Sequence, residues 1–164
     1  MNGSERGQTT LDFAVGMSVF LLTVIFVITY APTMFDPFAG GSGAKLVVAD
    51  QAATALSGDI LVASSAEPGT LSSGCVIAFF EEQEPGDSCP TEADFDPFDS
   101  ALSLDGRNAK ITIHELDAPA SEPATVDGVD LTLSNSESVP SDVAVATRTV
   151  SIQGQQYRLT VRVW

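Results

Sequence analysis

From Phe13 to Ala31 the chain reads FAVGMSVFLLTVIFVITYA, without one charged side chain. A helix of that length rises about 28 Å, close to the thickness of a bilayer's hydrocarbon core. Tyr30 stands near one end, where an aromatic ring favours the membrane interface. The run is longer than the apolar region of a secretory signal, roughly 7–15 residues, and no small-x-small cleavage site follows it. Burying it as a soluble core helix would take more surrounding chain than 164 residues provide. A transmembrane helix over 8–31 is therefore expected. Pro32 is expected to end it, and 32–43, with its prolines and the Gly40-Gly41-Ser42-Gly43 tract, to form a flexible linker. Residues 44–164 are left as one domain.

That domain is strongly acidic. The whole chain has 22 Asp and Glu against 7 Lys and Arg, a net charge of −15. Between Lys45 and Arg107 there are twelve acids and no base. Nucleic acid is excluded as a partner, because neutralising phosphates needs a basic footprint. Self-repulsion on this scale opposes a compact fold unless salt screens it; at molar salt the Debye length falls to about 3 Å. Acid excess with only two lysines resembles the proteins of salt-loving archaea; an acidic, disorder-leaning surface is the other reading.

Cys75 and Cys89 both follow the apolar segment and would face an oxidising compartment. A disulfide between them would contribute about 3 kcal/mol in the chain-entropy model. Two unpaired buried thiols are the alternative. Two Cys and one distant His fall short of the four ligands of a structural zinc site, so no metal is expected. The scarcity of Lys and Arg beyond the span places the N-terminus in the cytoplasm and the following domain outside, at the cell membrane.

Immediately before the span stands Glu5-Arg6-Gly7-Gln8-Thr9-Thr10-Leu11-Asp12-Phe13. This resembles the start of an archaeal type IV prepilin: a short polar leader ending in a basic residue and glycine, then an apolar helix. The resemblance covers about the first 31 residues. It implies that 1–7 is a leader removed by a membrane peptidase, with Arg6 and Gly7 before the cut and Gln8 as the new first residue. The fifth mature position, usually Glu in pilins, is Asp12 here. The resemblance implies that its carboxylate pairs with a neighbour's new amine and so sets register in a filament, since a charge in a dry bundle is expensive unless paired. Read from the residues alone, Asp12 is equally an acid in a first helical turn, favoured by the macrodipole by up to about 1 kcal/mol. The chain departs from the pilin pattern at Pro32 and the glycine tract, where pilins run the helix straight on, and in having the shorter Asp. The whole chain also resembles haloarchaeal single-pass membrane proteins of uncharacterised function. These share the Arg6-Gly7-Gln8-x-x-Leu11-Asp12-Phe13 opening and a final hairpin closing in Val163-Trp164.

In the domain, Leu46, Ala49, Ala53, Leu56, Ile60 and Ala63 fall at helical spacing over Ala44–Ser64. That amphipathic helix covers either a sheet of its own domain or a neighbouring subunit. Val143–Ile152 and Gln155–Trp164 flank Gln153-Gly154, a two-residue hairpin turn. In that register Ile152 faces Gln155, Val150 faces Tyr157, Arg148 faces Leu159, Ala146 faces Val161 and Ala144 faces Val163. One face is oily; the other carries Thr147, Thr149, Ser151, Arg158, Thr160 and Arg162. Ala109–Leu116 and Val129–Leu133 read as further strands. Gly74–Phe80 reads as a short helix or strand, and Glu81–Asp99 as a long acidic loop. The expected fold is α+β: a transmembrane helix, then an amphipathic helix packed on a small antiparallel sheet that ends in a β-hairpin.

Chemistry is sparse. His114, the one histidine, alternates away from Ile111 and Ile113 and is expected at solvent or a sheet edge. A serine folded beside it would be needed for hydrolysis, and no nucleophile-elbow pattern is present. Glu81, Glu82, Glu84, Asp94, Asp96 and Asp99 offer oxygens for calcium but lack EF-hand spacing, so a solvated loop is expected. Trp164 is expected to pack on the sheet or at an interface. No catalytic residue, cofactor or small-molecule substrate is expected. The expected function is structural: a pilin-like surface subunit whose partners are membrane lipid and, through the N-terminal helix, its own copies or other pilins. An uncleaved anchored accessory protein of the cell envelope is the alternative.

Overall fold

The structure is a computed structural model. It describes residues 5–39, 41–87, 89–91, 93–104 and 106–164, with side chains described for 11–31 and from Gly43 onward. The chain divides into two units, Met1–Gly40 and Gly41–Trp164.

The first unit is one helix, α1 (Glu5–Ala39). It does not stop at Pro32, and the expected linker 32–43 is helical apart from Gly40, which lies outside the described residues. A proline inside a helix removes one donor and costs about 3 kcal/mol in water. The helix nevertheless continues through it and through Pro37, and the local sequence offers no physical reason for that. α1 is described as far as Ala39, and the next helix begins at Gly41.

The second unit is the α+β domain. Its helix α2 (Gly41–Ala55) ends in a π-helical turn, Leu56–Ile60, closed by Leu61 N–H donating to the Leu56 carbonyl at 3.2 Å. Helical structure thus stops short of Ser64, at a turn containing Gly58. The buried stripe is Ala49, Ala52, Ala53, Leu56 and Ile60; Leu46 and Ala63, expected on it, are exposed. Alanines dominate because small side chains let a helix lie close on a sheet.

Five strands form that sheet, in the order β1 (Thr70–Leu71), β6 (Ala144–Ile152), β7 (Gln155–Val163), β2 (Ala109–Glu115), β5 (Thr132–Ser134). The β6–β7 hairpin has the expected register from Ala144↔Val163 to Ile152↔Gln155. Strands β2 and β5 extend it antiparallel, while β1 pairs with β6 in parallel, so the sheet is mixed and not purely antiparallel. The expected strand Val129–Leu133 is split. Its first half, β4 (Val129–Asp130), forms a separate hairpin with β3 (Thr125–Val126), and its second half joins β2 as β5. Leu131, between them, donates to the Ala124 carbonyl and accepts from Ile113 N–H.

The core lies between α2 and the oily sheet face of Ile111, Ile113, Val150, Ile152, Leu159, Val161 and Val163. A second layer comes from α3 (Ser73–Phe80), capped by the Ser72 hydroxyl, which accepts from Cys75 N–H. Phe79 is fully buried and meets Phe80, Phe95 and Phe98 edge-on, with ring centroids 5.4, 5.4 and 6.2 Å away. Phe95 and Phe98, which opens α4 (Phe98–Ala101), belong to the stretch expected as a solvated loop. That stretch is therefore pinned by two buried rings and by the Cys75–Cys89 disulfide.

In the β6–β7 turn both central residues have positive φ, 51° at Gln153 and 84° at Gly154. No neighbouring atom lies within 4 Å of a Cβ placed on Gly154, so a substitution there meets only backbone strain. Gly154→Ala is expected to lower unfolding stability by about 1–2 kcal/mol without changing the fold, read as a shift in denaturant midpoint at constant slope.

Candidate functional surfaces

The most unusual surface is α1 itself. Leu11–Ala31, 21 residues with a mean hydropathy of 2.4, is long and apolar enough to cross a membrane, and none of it is buried. Phe13 is 69% exposed, Leu22 70% and Ile28 66%, residues on different sides of the helix. A helix that is apolar all round suits lipid or the interior of a bundle, not a half-wetted surface. Three of its hydroxyls are satisfied within the helix. Ser18, Thr23 and Thr29 donate to the carbonyls of Ala14, Val19 and Ile25 at 2.7–2.9 Å, so these three protons carry no penalty in an apolar surrounding. Asp12, at the start of the span, is exposed and is its one acidic or basic residue. The expected leader residues Met1–Ser4 lie outside the described residues. So do the side chains of Arg6, Gly7 and Gln8, whose backbone forms the first turns of α1.

Cys75 and Cys89 are bonded, with Cα atoms 4.8 Å apart, and there is no free cysteine. The bond holds α3 to the acidic stretch. Two of the acids there have local jobs: Glu82 Oε1 accepts from Phe98 N–H at 3.4 Å, and Asp94 Oδ1 accepts from Asp96 N–H at 3.1 Å. Among the described residues, no three His, Cys, Asp or Glu are grouped so as to hold a metal ion.

His114, expected at solvent or a sheet edge, is not at solvent: it is buried, only 2% exposed, on the part of β2 past the end of its pairing with β5. Alternation fixes which face of a strand a residue takes, not whether neighbours cover it. Its Nδ1 lies 3.0 Å from the Glu115 carbonyl, which only accepts, so Nδ1 carries the proton. Nε2 lies 3.0 Å from the Thr160 hydroxyl, within hydrogen-bond distance. Both ring nitrogens are engaged, and neither partner is a serine or a carboxylate.

Sequence reasoning did not single out two surfaces of the domain. One is a groove of about 600 Å³ between α2 and β6, lined by Leu46, Val47, Asp50, Val145 and Arg148. Arg148, on its wall, donates to Asp50 at 2.6 Å and to Thr54 at 3.1 Å. The other is the outer face of the sheet. Strand pairing sets Lys110 directly opposite Arg162, and His114 opposite Arg158. The alternation in β7 announces two of these cations; the third joins them only through the β2–β7 register, which no local pattern contains.

A family model, described as a family of unknown function (DUF7287), matches residues 4–164. No curated protein and no solved structure shows detectable similarity to the chain. Because the matched segment takes in nearly all of its length, the chain belongs to that family.

Proposed function

We propose that this member of the family is a structural, membrane-anchored surface protein, a pilin-like subunit that assembles through α1 after leader removal. The observation that carries the reading is the unburied apolar span Leu11–Ala31, with Asp12 as its single charge. In a bundle of such helices, Asp12 gains a partner only in registers that bring a neighbour's amine beside it. Continuation of α1 through Pro32 supports this reading, since it removes the proline from the first of the chain's two departures from the pilin pattern and leaves the glycine tract, where α1 ends at Ala39, and the shorter Asp12. Cleavage falls between Gly7 and Gln8, on the cytoplasmic side, and the disulfide-bonded domain lies outside the cell. The chain recovered from its native membrane is expected to have Gln8 as its first residue by mass, and Gly7→Trp to leave the leader in place. An intact leader in a peptidase-competent host would remove the subunit reading. It would leave the second reading, an uncleaved anchored accessory protein, which the open groove at Leu46 and Val145 favours.

The setting we propose is the salty envelope of an archaeon. Against 22 acids, the described residues form only two ion pairs, Lys45–Asp142 and Arg148–Asp50. Salt therefore screens much repulsion and little attraction. The domain's melting temperature is expected to rise by several degrees or more between 0.1 and 2 M KCl, measured by circular dichroism; a fall would contradict the setting.

A further inference from the structure

We propose that the cationic outer face of the sheet, built by Lys110, Arg158 and Arg162, docks the acidic 81–99 segment of a second copy of this chain. The inference deepens the subunit reading: it names the head-to-head contact that would accompany the α1 contact.

Three of the chain's seven Lys and Arg lie on this face. None of them forms an ion pair or side-chain hydrogen bond with any described residue. By contrast, Lys45 pairs with Asp142, Arg148 with Asp50, and Arg107 Nη1 reaches the Leu104 carbonyl. In a chain so rich in carboxylates, cations without partners stand out. Lys110 and Arg162 moreover face each other directly across β2 and β7, and like charges so placed destabilise a sheet. Arg158 is exposed, while Lys110 and Arg162 are half-buried. Between them lie Thr112, His114 and Thr160, all at most 4% exposed, so the cations sit on a packed polar floor and not on a mobile loop.

The chain also carries the complement. Residues 81–99 contain eight acids and no base. Phe95, Phe98 and the disulfide fix this segment, so its exposed carboxylates Glu81, Glu84, Asp87, Asp94 and Asp96 stand on a shaped support. Glu84 and Asp94 line one shallow pocket of about 370 Å³. Among the described residues no ion pair joins this segment to the sheet cations within one chain. Two different patches that complement each other between copies make a heterologous contact, which propagates along a filament where the rotation does not close. Arginine–carboxylate pairs at hydrogen-bond distance lie within even the ~3 Å Debye length of molar salt, so the contact survives where long-range repulsion is screened.

The test uses the full chain in detergent, with association followed by sedimentation velocity. One variant carries Arg158→Glu and Arg162→Glu, the other Glu84→Lys and Asp94→Lys; intact disulfide and unchanged melting certify each fold. Each alone is expected to weaken self-association at least tenfold. An equimolar mixture is expected to recover it to within about threefold of the unaltered chain, because each variant now complements the other. If either variant associates like the unaltered chain, or if the mixture fails to recover, the assignment is overturned; the second result would place the acidic partner elsewhere. Association through α1 is insensitive to these charges, and leader processing is read separately by mass. A failed head contact is therefore distinguishable from a failed subunit reading.

Discussion

Replacing Leu21 and Ile25 together by arginine is expected to move the chain out of the membrane fraction. Both lie near the middle of Leu11–Ala31, one turn apart and exposed. An arginine at the centre of a spanning helix costs about 2.5–3.5 kcal/mol on the insertion scale, so the pair costs about 6 kcal/mol. That corresponds to roughly four orders of magnitude in partition. The conservative pair Leu21→Ile and Ile25→Leu should leave the distribution unchanged, because lipid discriminates poorly between aliphatic side chains. Membrane retention of the arginine variant after an alkaline wash would mean that something other than α1 holds the protein there.

The second large effect is expected in the domain, from Phe79→Ala. Phe79 is fully buried, and its ring touches three others, two of them from the acidic segment. Truncating a buried phenylalanine costs about 3–5 kcal/mol through lost transfer energy and a residual cavity. Edge-to-face ring contacts, about 0.5–1.5 kcal/mol per pair, place this site toward the upper part of that range. Against a total stability of roughly 5–15 kcal/mol, such a loss brings the domain close to unfolding. Denaturant titration should show a large drop in midpoint, and proteolysis should start within 81–99, which loses its anchor. A change under about 1 kcal/mol would mean that the aromatic cluster is not the second core assigned to it.

The C-terminal hairpin was readable residue by residue because two local signals agree: Gln153-Gly154 sets the turn, and the alternation sets the faces. A similar turn signal, Asp127-Gly128 with φ values of 51° and 90°, closes β3–β4, but strands of two residues give no alternation to support it. Strand β1, also two residues, is held by its parallel partner β6 and by a bridge from Val62 to Leu71, neither of which a local pattern announces. For α2, the middle of the apolar stripe marks the buried face, and the ends mislead because Leu46 faces an open groove beside β6 and the π-helical turn ends the helix before Ala63. Pro32 is a sound local reason to stop α1, and nothing in the neighbouring residues, which include a second proline at Pro37, announces that the helix runs on to Ala39. The cationic face is a product of register between segments some fifty residues apart in sequence, which is why composition shows only the acid excess around it.

The proposed subunit function depends on where α1 resides. Membranes carrying the unaltered chain can be washed at high pH and high salt, then extracted with detergent, with the N-terminal mass read in each fraction. The chain is predicted to stay with the lipid through the wash and to enter solution only with detergent. Its quantitative release by the wash as a water-soluble monomer with α1 intact would contradict the account.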